Sequence, residues 1–482
     1  MGGIDGGQVL RHGLFAVLVG VAGAAASVVL CLLVSFAYTL VCDHPWLLYL
    51  LPVLGVASLL MYRAMKLPLD TTTHTVVNDI RADREISPWL APGILLGTAL
   101  SILGGASVGK EAGALHMGAS LGDLIARPMR LRPVTRKEQA VGDGHVGMRA
   151  YAAATGMAAC FAALFFAPLG STAFVIELAR YERSVVRHLP TMLLACFVAF
   201  ALASLVGIGD IIPKVPLPGL SWPIVGQCIV IAVACALVGT LYIKAIEGLQ
   251  RVTKRASKNY YLWVALGGIV MIALVSLFGW QGFEGTGGNQ LALALSGEQE
   301  PWAFAVKTLL TVVCLGLWFR GGEIMPTFTI GALLGASCTV MTGGEAGWSA
   351  AVGLVAFFAA MSRCPLAAFF MGCEIFGWAG APLFALAVAV SFSLGRDVGY
   401  YGRGATSVLR EAAHIRRHGR PSRPGEVEGK SLLEDVIESS QSNLVKLEDA
   451  LQRHADAAAA AAEGAAGAPS APPASADSVK KP

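Results

Sequence analysis

Leu103–Gly122 reads LGGASVGKEAGALHMGASLG, a Lys–Glu pair (Lys110, Glu111) set in apolar sequence with six glycines. Glycine lets backbone amides come close to a ligand. A helix beginning at Glu111 aims its free N–H groups and positive dipole end at an anion. Charged side chains at membrane depth are costly and mark functional positions. A second stretch, Phe319–Gly335 (FRGGEIMPTFTIGALLG), repeats the plan: Gly321 and Gly322, then Glu323, then an apolar helix. Two glycine turns, each leading a carboxylate into a helix, predict one anion site built from two half-helices.

The composition around these stretches is that of a polytopic membrane protein. Of 482 residues, 55% are hydrophobic and 14% charged, against about 25% charged in soluble domains. The net charge is +4, and its basic residues gather in Arg127–Arg149, Arg180–Arg187, Arg251–Lys258 and Arg403–Arg423, as loops on the cytoplasmic side do. The ten cysteines show no CxxC or CxxH spacing, so neither a metal site nor a disulfide framework is indicated. No cofactor and no nucleic-acid partner are expected. The first apolar run, Gly13–Val41, is too long for a signal peptide and reads as a retained membrane helix.

Later apolar runs include several, such as Trp89–Leu103, Leu169–Ala179 and Ala367–Phe376, shorter than the roughly 20 residues that cross a bilayer. Short interrupted segments at corresponding places in two halves point to an inverted-repeat transporter with a midplane site. The repeat is visible directly. Gly118-Ala119 matches Gly331-Ala332, and Ala167-Pro168-Leu169 with Glu177 matches Cys364-Pro365-Leu366 with Glu374, each Glu nine residues after its proline. The expected organisation is a short N-terminus (1–12), a first membrane repeat (13–208), a second (209–402), a basic and amphipathic segment (403–456) and a disordered Ala/Pro/Ser-rich tail (457–482). Within the fourth, Lys430–His454 reads as a surface helix or a short coiled coil.

Gly104-xxxx-Gly109-Lys110 mimics a phosphate-binding P-loop, but Glu111 stands where a Ser or Thr must ligand magnesium, and its charge repels a triphosphate. Gly109-Lys110-Glu111-Ala112-Gly113 instead resembles the gating-glutamate motif of the CLC family of anion channels and anion/proton antiporters. Ala167-Pro168-Leu169 with Glu177 resembles that family's next signature, and Gly322-Glu323-Ile324-Met325-Pro326 its helix-start anion motif. The resemblance covers about residues 10–405 and implies an all-α polytopic membrane protein, an inverted-repeat fold with discontinuous and short tilted helices. The Gly-Gly-Glu start with Pro326, the run from Pro365 to Gly377, and Gly399-Tyr400-Tyr401 are most similar to the fluoride-exporting branch.

The resemblance also implies site roles, which the chemistry of the residues fits. An ionised Glu111 occupies the anion site and a protonated one yields it, so one carboxyl couples anion and proton fluxes; the bland alternative is an ion pair with a basic neighbour. In the chloride/proton members resembled, a proton-transferring Glu follows the position matched to Glu177. Here Leu178 stands there, leaving Glu323 as the available acid or as a cap of its own helix. Gly109, Lys110, Ala112, Ile324 and Met325 are expected at the anion, with Ala112 where the family commonly has glycine. Tyr401, with Tyr400 as its competitor, offers a hydroxyl. Thr73 and His74 lie where the first pore loop belongs, in place of the fluoride branch's Met and Asn, and Thr73 is the expected donor. Glu177 and Glu374 read as structural, hydrogen-bonding backbone between repeats. Arg320 and Lys307 either draw anions or snorkel. His116, just over one helical turn past Glu111, reads as a satisfied packing residue, with modulation of the Glu111 proton affinity as the alternative.

The function expected is a fluoride/proton antiporter that exports fluoride, a homodimer in the cell (inner) membrane with both termini cytoplasmic. The alternative is a CLC-type chloride channel or chloride/proton exchanger. A membrane enzyme using Glu111 and His116 is the remote third reading, without a nucleophile or metal cluster to support it.

Overall fold

A computed structural model of the chain describes residues 5–132, 147–179, 183–209, 212–342, 345–395 and 398–403. The segment Lys430–His454, the tail 457–482 and nearly all of 403–456 lie outside the described residues. The helices in chain order are α1 (Gly6–Asp43), α2 (Leu51–Ala64, after a 3-10 turn Pro45–Leu50), α3 (Thr73–Arg81), α4 (Leu90–Leu103), α5 (Glu111–Met129), α6 (Met148–Phe165), α7 (Pro168–Leu178), α8 (Arg183–Arg187) and α9 (Leu189–Val206). They continue with α10 (Trp222–Ala256), α11 (Tyr260–Phe278), α12 (Gly288–Ser296), α13 (Ala303–Gly316), α14 (Ile324–Thr342), α15 (Ala346–Ser362), α16 (Pro365–Phe376) and α17 (Ala381–Leu394). A two-residue ladder, Val398–Gly399 with Gly402–Arg403, closes the described chain.

Helix length and burial sort these elements into two kinds. Among the described residues six segments are long and apolar enough to cross a membrane, and α10 runs 35 residues. Five of these carry large apolar side chains outward, such as Leu205, Leu237, Leu241 and Leu277, as a helix against lipid does. By contrast α6 and α15 are buried almost residue by residue. Both are rich in Ala and Gly, which lets neighbouring backbones approach.

The repeat expected from Gly118-Ala119 and Gly331-Ala332 appears as matching close packing. A Cβ on Gly118 would strike the Gly156 carbonyl of α6, and one on Gly156 the Gly118 carbonyl of α5. In the second pair a Cβ on Gly331 of α14 would lie 2.6 Å from the Gly353 carbonyl of α15, and one on Gly353 would strike the Gly331 carbonyl. Gly122 and Gly335, four residues on in each helix, meet the next turn of the same partners. Each pair is thus a small-xxx-small contact. α6 and α15 then end alike, on residues in the left-handed region (Phe166, φ 54°; Arg363, φ 59°). A proline follows two residues later at the first position of α7 or α16, where its missing N–H costs nothing.

Glu177 and Glu374 lock the halves as expected. Glu177 accepts from the N–H groups of Leu366 (3.1 Å) and Ala367 (2.9 Å) at the start of α16. Glu374 accepts from Leu169 (2.9 Å) and Gly170 (2.7 Å) at the start of α7. Each carboxylate therefore caps the opposite half's helix, where orphan N–H groups and the dipole favour an anion.

Two elements differ from the sequence reading. Thr73, expected in a pore loop, is the first residue of α3, because Thr72 and Thr75 form a reciprocal capping box that starts a helix. α12 lies in Gly288–Ser296, a stretch whose glycine-rich approach hid its short apolar run.

Candidate functional site

The two glycine-turn stretches meet at one point. Gly109 and Gly322 form an antiparallel bridge, each N–H donating to the other's carbonyl at 2.6 Å. This bridge holds the starts of α5 and α14 side by side and points both sets of free N–H groups into one space. Glycine is required on both strands of the bridge. A Cβ on Gly109 would overlap the Glu111 carboxylate, and one on Gly322 would lie 2.8 Å from Glu111 Oε2 and 2.7 Å from the Ala112 nitrogen. The close backbone approach at Ala112 is therefore supplied from across the bridge, by Gly322.

Glu111 is buried, and its Oε2 accepts from the Met325 N–H at 3.1 Å. The carboxylate of one half-helix thus rests on the N-terminus of the other, where an anion would bind. Gly109 and Gly322 lie against this carboxylate, and the Ala112 nitrogen lies beside Gly322. Lys110 is buried at the N-cap position of α5.

Glu323 faces a second, hydroxyl-rich space. Its carboxyl interacts with the side chains of Thr73 and Tyr401 and with its own backbone N–H. Tyr400 and Tyr242 are near enough to feel its charge. No hydrogen bond of ordinary geometry fixes Glu323 Oε1 or the Tyr401 hydroxyl among the described residues. Both tyrosine candidates lie near Glu323. Tyr401 is buried with its ring 5.7 Å from that of Phe174, while Tyr400 lines a cavity. Tyr242, on α10, carries no motif and was not legible in the sequence. His74 instead bonds Asn78 at 3.3 Å, one turn along α3.

Three basic residues take positions the sequence left open. Lys307 is buried and donates to the carbonyls of Phe283 (2.8 Å) and Gly285 (2.9 Å). Arg320 is buried, donates to the carbonyls of Thr71 (2.7 Å) and Leu69, and lies 4.3 Å over the Tyr62 ring. Neither snorkels. His116 is a correction: it is buried, yet among the described residues neither ring nitrogen has a hydrogen-bond partner. Its packing environment offers it no satisfied role. It lines a cavity of about 30 Å³ with Thr72, Thr73, Arg320, Glu323 and Tyr400.

Comparison with known proteins fits this geometry. The family described as voltage gated chloride channel matches residues 53–396. A chloride/fluoride channel protein of Pseudomonas syringae pv. tomato (strain ATCC BAA-871 / DC3000) is 31% identical over 376 residues, covering 74% of this chain and 78% of that protein. In fold, the chain is similar to a CLC-type fluoride/proton antiporter (TM-score 0.72, 24% identity, 80% of this chain and 94% of the other). It is also similar to a slow cyanobacterial Cl⁻/H⁺ antiporter (TM-score 0.66, 18% identity, 87% and 100%). With a family match over residues 53–396 and a relative 31% identical over 376 residues, the chain belongs to the CLC family, the voltage gated chloride channel family.

Proposed function

We propose that this protein is a fluoride/proton antiporter that exports fluoride, with Glu111 and Glu323 as its two proton-carrying groups. The observation that carries the reading is the Glu111 carboxylate resting on the Met325 N–H at the meeting point of two half-helices. There a carboxylate and an anion compete for the same donors, and protonation decides between them. Glu323, with Tyr401 and Thr73 at its carboxyl, supplies the second acid. Gly109, Lys110, Ala112, Ile324, Met325, Thr73 and Tyr401 form the anion path. The similarity to a protein named for both chloride and fluoride supports a halide substrate.

The chain is read as two membrane halves, 13–208 and 209–402, forming a homodimer in the cell membrane with both termini cytoplasmic. It transports and performs no enzymatic reaction. The second reading, a chloride channel or chloride/proton exchanger, is favoured by Thr73 and His74 standing where the fluoride branch has Met and Asn. Efflux from proteoliposomes separates the two: fluoride efflux with opposed proton movement supports the antiporter, and chloride efflux at equal or greater rate supports the second reading.

A further inference from the structure

The cavity beside Glu323 contains more unmet hydrogen-bonding demand than the exchange scheme uses. Arg320 spends both terminal nitrogens on the Thr71 and Leu69 carbonyls, and its Nε has no partner among the described residues. His116, which lines the same cavity, is likewise unpartnered at both ring nitrogens among the described residues. In either neutral tautomer an imidazole carries one N–H. Two buried side chains with unpartnered donors, from different elements, therefore line one cavity, and the guanidinium acts on His116 electrostatically. Leaving both unmet costs about 1–3 kcal/mol each, so a species that accepts hydrogen bonds is required.

The cavity's dimensions and charge limit what that species is. About 30 Å³ holds one or two water-sized species. The guanidinium is buried, and Asp70, the carboxylate that acts on it electrostatically, is also bridged to Lys254 at 3.6 Å. Glu323 lines the same cavity with its Oε1 unpartnered. Ionised, Glu323 repels an anion there; protonated, it becomes a third donor.

We propose that His116 is a selectivity-determining residue: its N–H, together with Arg320 Nε–H, forms a side-chain position for a small, strongly hydrogen-bond-accepting anion in the cavity beside Glu323. This position is built from side chains on α5 and the α13–α14 link, apart from the helix-end donors around Glu111. It fills when Glu323 holds a proton. Fluoride accepts hydrogen bonds more strongly than chloride and is closer to water in size, so it gains most from a rigid pair of donors in so small a space. The inference rests on the fluoride reading above.

The test measures fluoride and chloride efflux from proteoliposomes for the wild type, His116→Leu and His116→Gln, each first shown to elute as folded protein. Wild-type efflux tests the fluoride reading by itself; the variants test His116. The expected result is a fluoride-to-chloride ratio about tenfold lower in His116→Leu, the worth of one charge-assisted hydrogen bond, with His116→Gln recovering most of the loss through its amide N–H. An unchanged ratio in His116→Leu overturns the proposal, and means that water alone occupies the cavity. Equal loss in both variants also overturns it, because shape rather than an N–H donor would then set selectivity.

Discussion

The Glu111 carboxylate accepts from the Met325 N–H at 3.1 Å across 214 residues of sequence, so a side chain from the first half of the chain caps a helix in the second. The Gly109–Gly322 bridge makes this possible by holding the two helix starts within a single hydrogen bond of each other. On the proposed antiport reading, the ionised carboxylate holds this position and the protonated one yields it to the anion.

Gly109→Ala tests whether the resting position of Glu111 matters. The added methyl overlaps the carboxylate and lies 3.0 Å from the Pro326 ring. Glu111 is expected to leave Met325, and protons moved per anion to fall well below the wild-type value in parallel pH and ion-electrode recordings. An unchanged ratio would show that the carboxylate works from another position.

Tyr401→Phe removes one hydroxyl and keeps the ring that packs on Phe174. Loss of one donor to a charged group costs about 1.5–3 kcal/mol. Apparent fluoride affinity in concentration-dependent efflux is expected to fall at least about tenfold, with the melting temperature nearly unchanged. Tyr400→Phe should have the smaller effect.

Glu177→Gln and Glu374→Gln address the fold rather than the pore. Each carboxylate accepts two helix N–H groups, and a glutamine amide turns an N–H₂ toward one of those donors. We expect about 1–3 kcal/mol lost from each, seen as a lower melting temperature in detergent, with fluoride-to-chloride selectivity preserved in protein that remains folded.

Gly156→Val and Gly239→Ala make a matched pair. The first drives a side chain into the Gly118 carbonyl, and folded protein is expected to disappear from size-exclusion chromatography. At Gly239 the nearest heavy atom to an added methyl is the Ala360 Cβ at 3.5 Å. There stability should change by less than about 1 kcal/mol, by thermal melting.

Much of this was legible in the sequence because glycine, proline and isolated charge leave local marks. Glu111 and Glu323 stood out as acids in apolar sequence, and Glu177 and Glu374 as matched acids nine residues after a proline. Their reading as structural residues that hydrogen-bond backbone between repeats followed from that register, and the structure makes them reciprocal caps. What was hidden depends on long-range placement. Tyr242 reaches Glu323 from the middle of a membrane helix whose pattern is indistinguishable from lipid-facing sequence. His116 reads as an ordinary helix residue until its unmet nitrogens and the Arg320 guanidinium are seen to share a cavity. Thr73 was assigned to a loop because the resemblance places the first pore loop there, whereas the reciprocal capping box of Thr72 and Thr75 starts a helix at this point.

The most direct measurement is paired fluoride and proton flux in proteoliposomes carrying wild type or Glu111→Gln. Wild type should release fluoride while protons move the opposite way. In Glu111→Gln a group that cannot ionise replaces the carboxylate on Met325, so proton movement should fall to background. Proton-coupled fluoride transport that persists in Glu111→Gln would contradict the account at its centre.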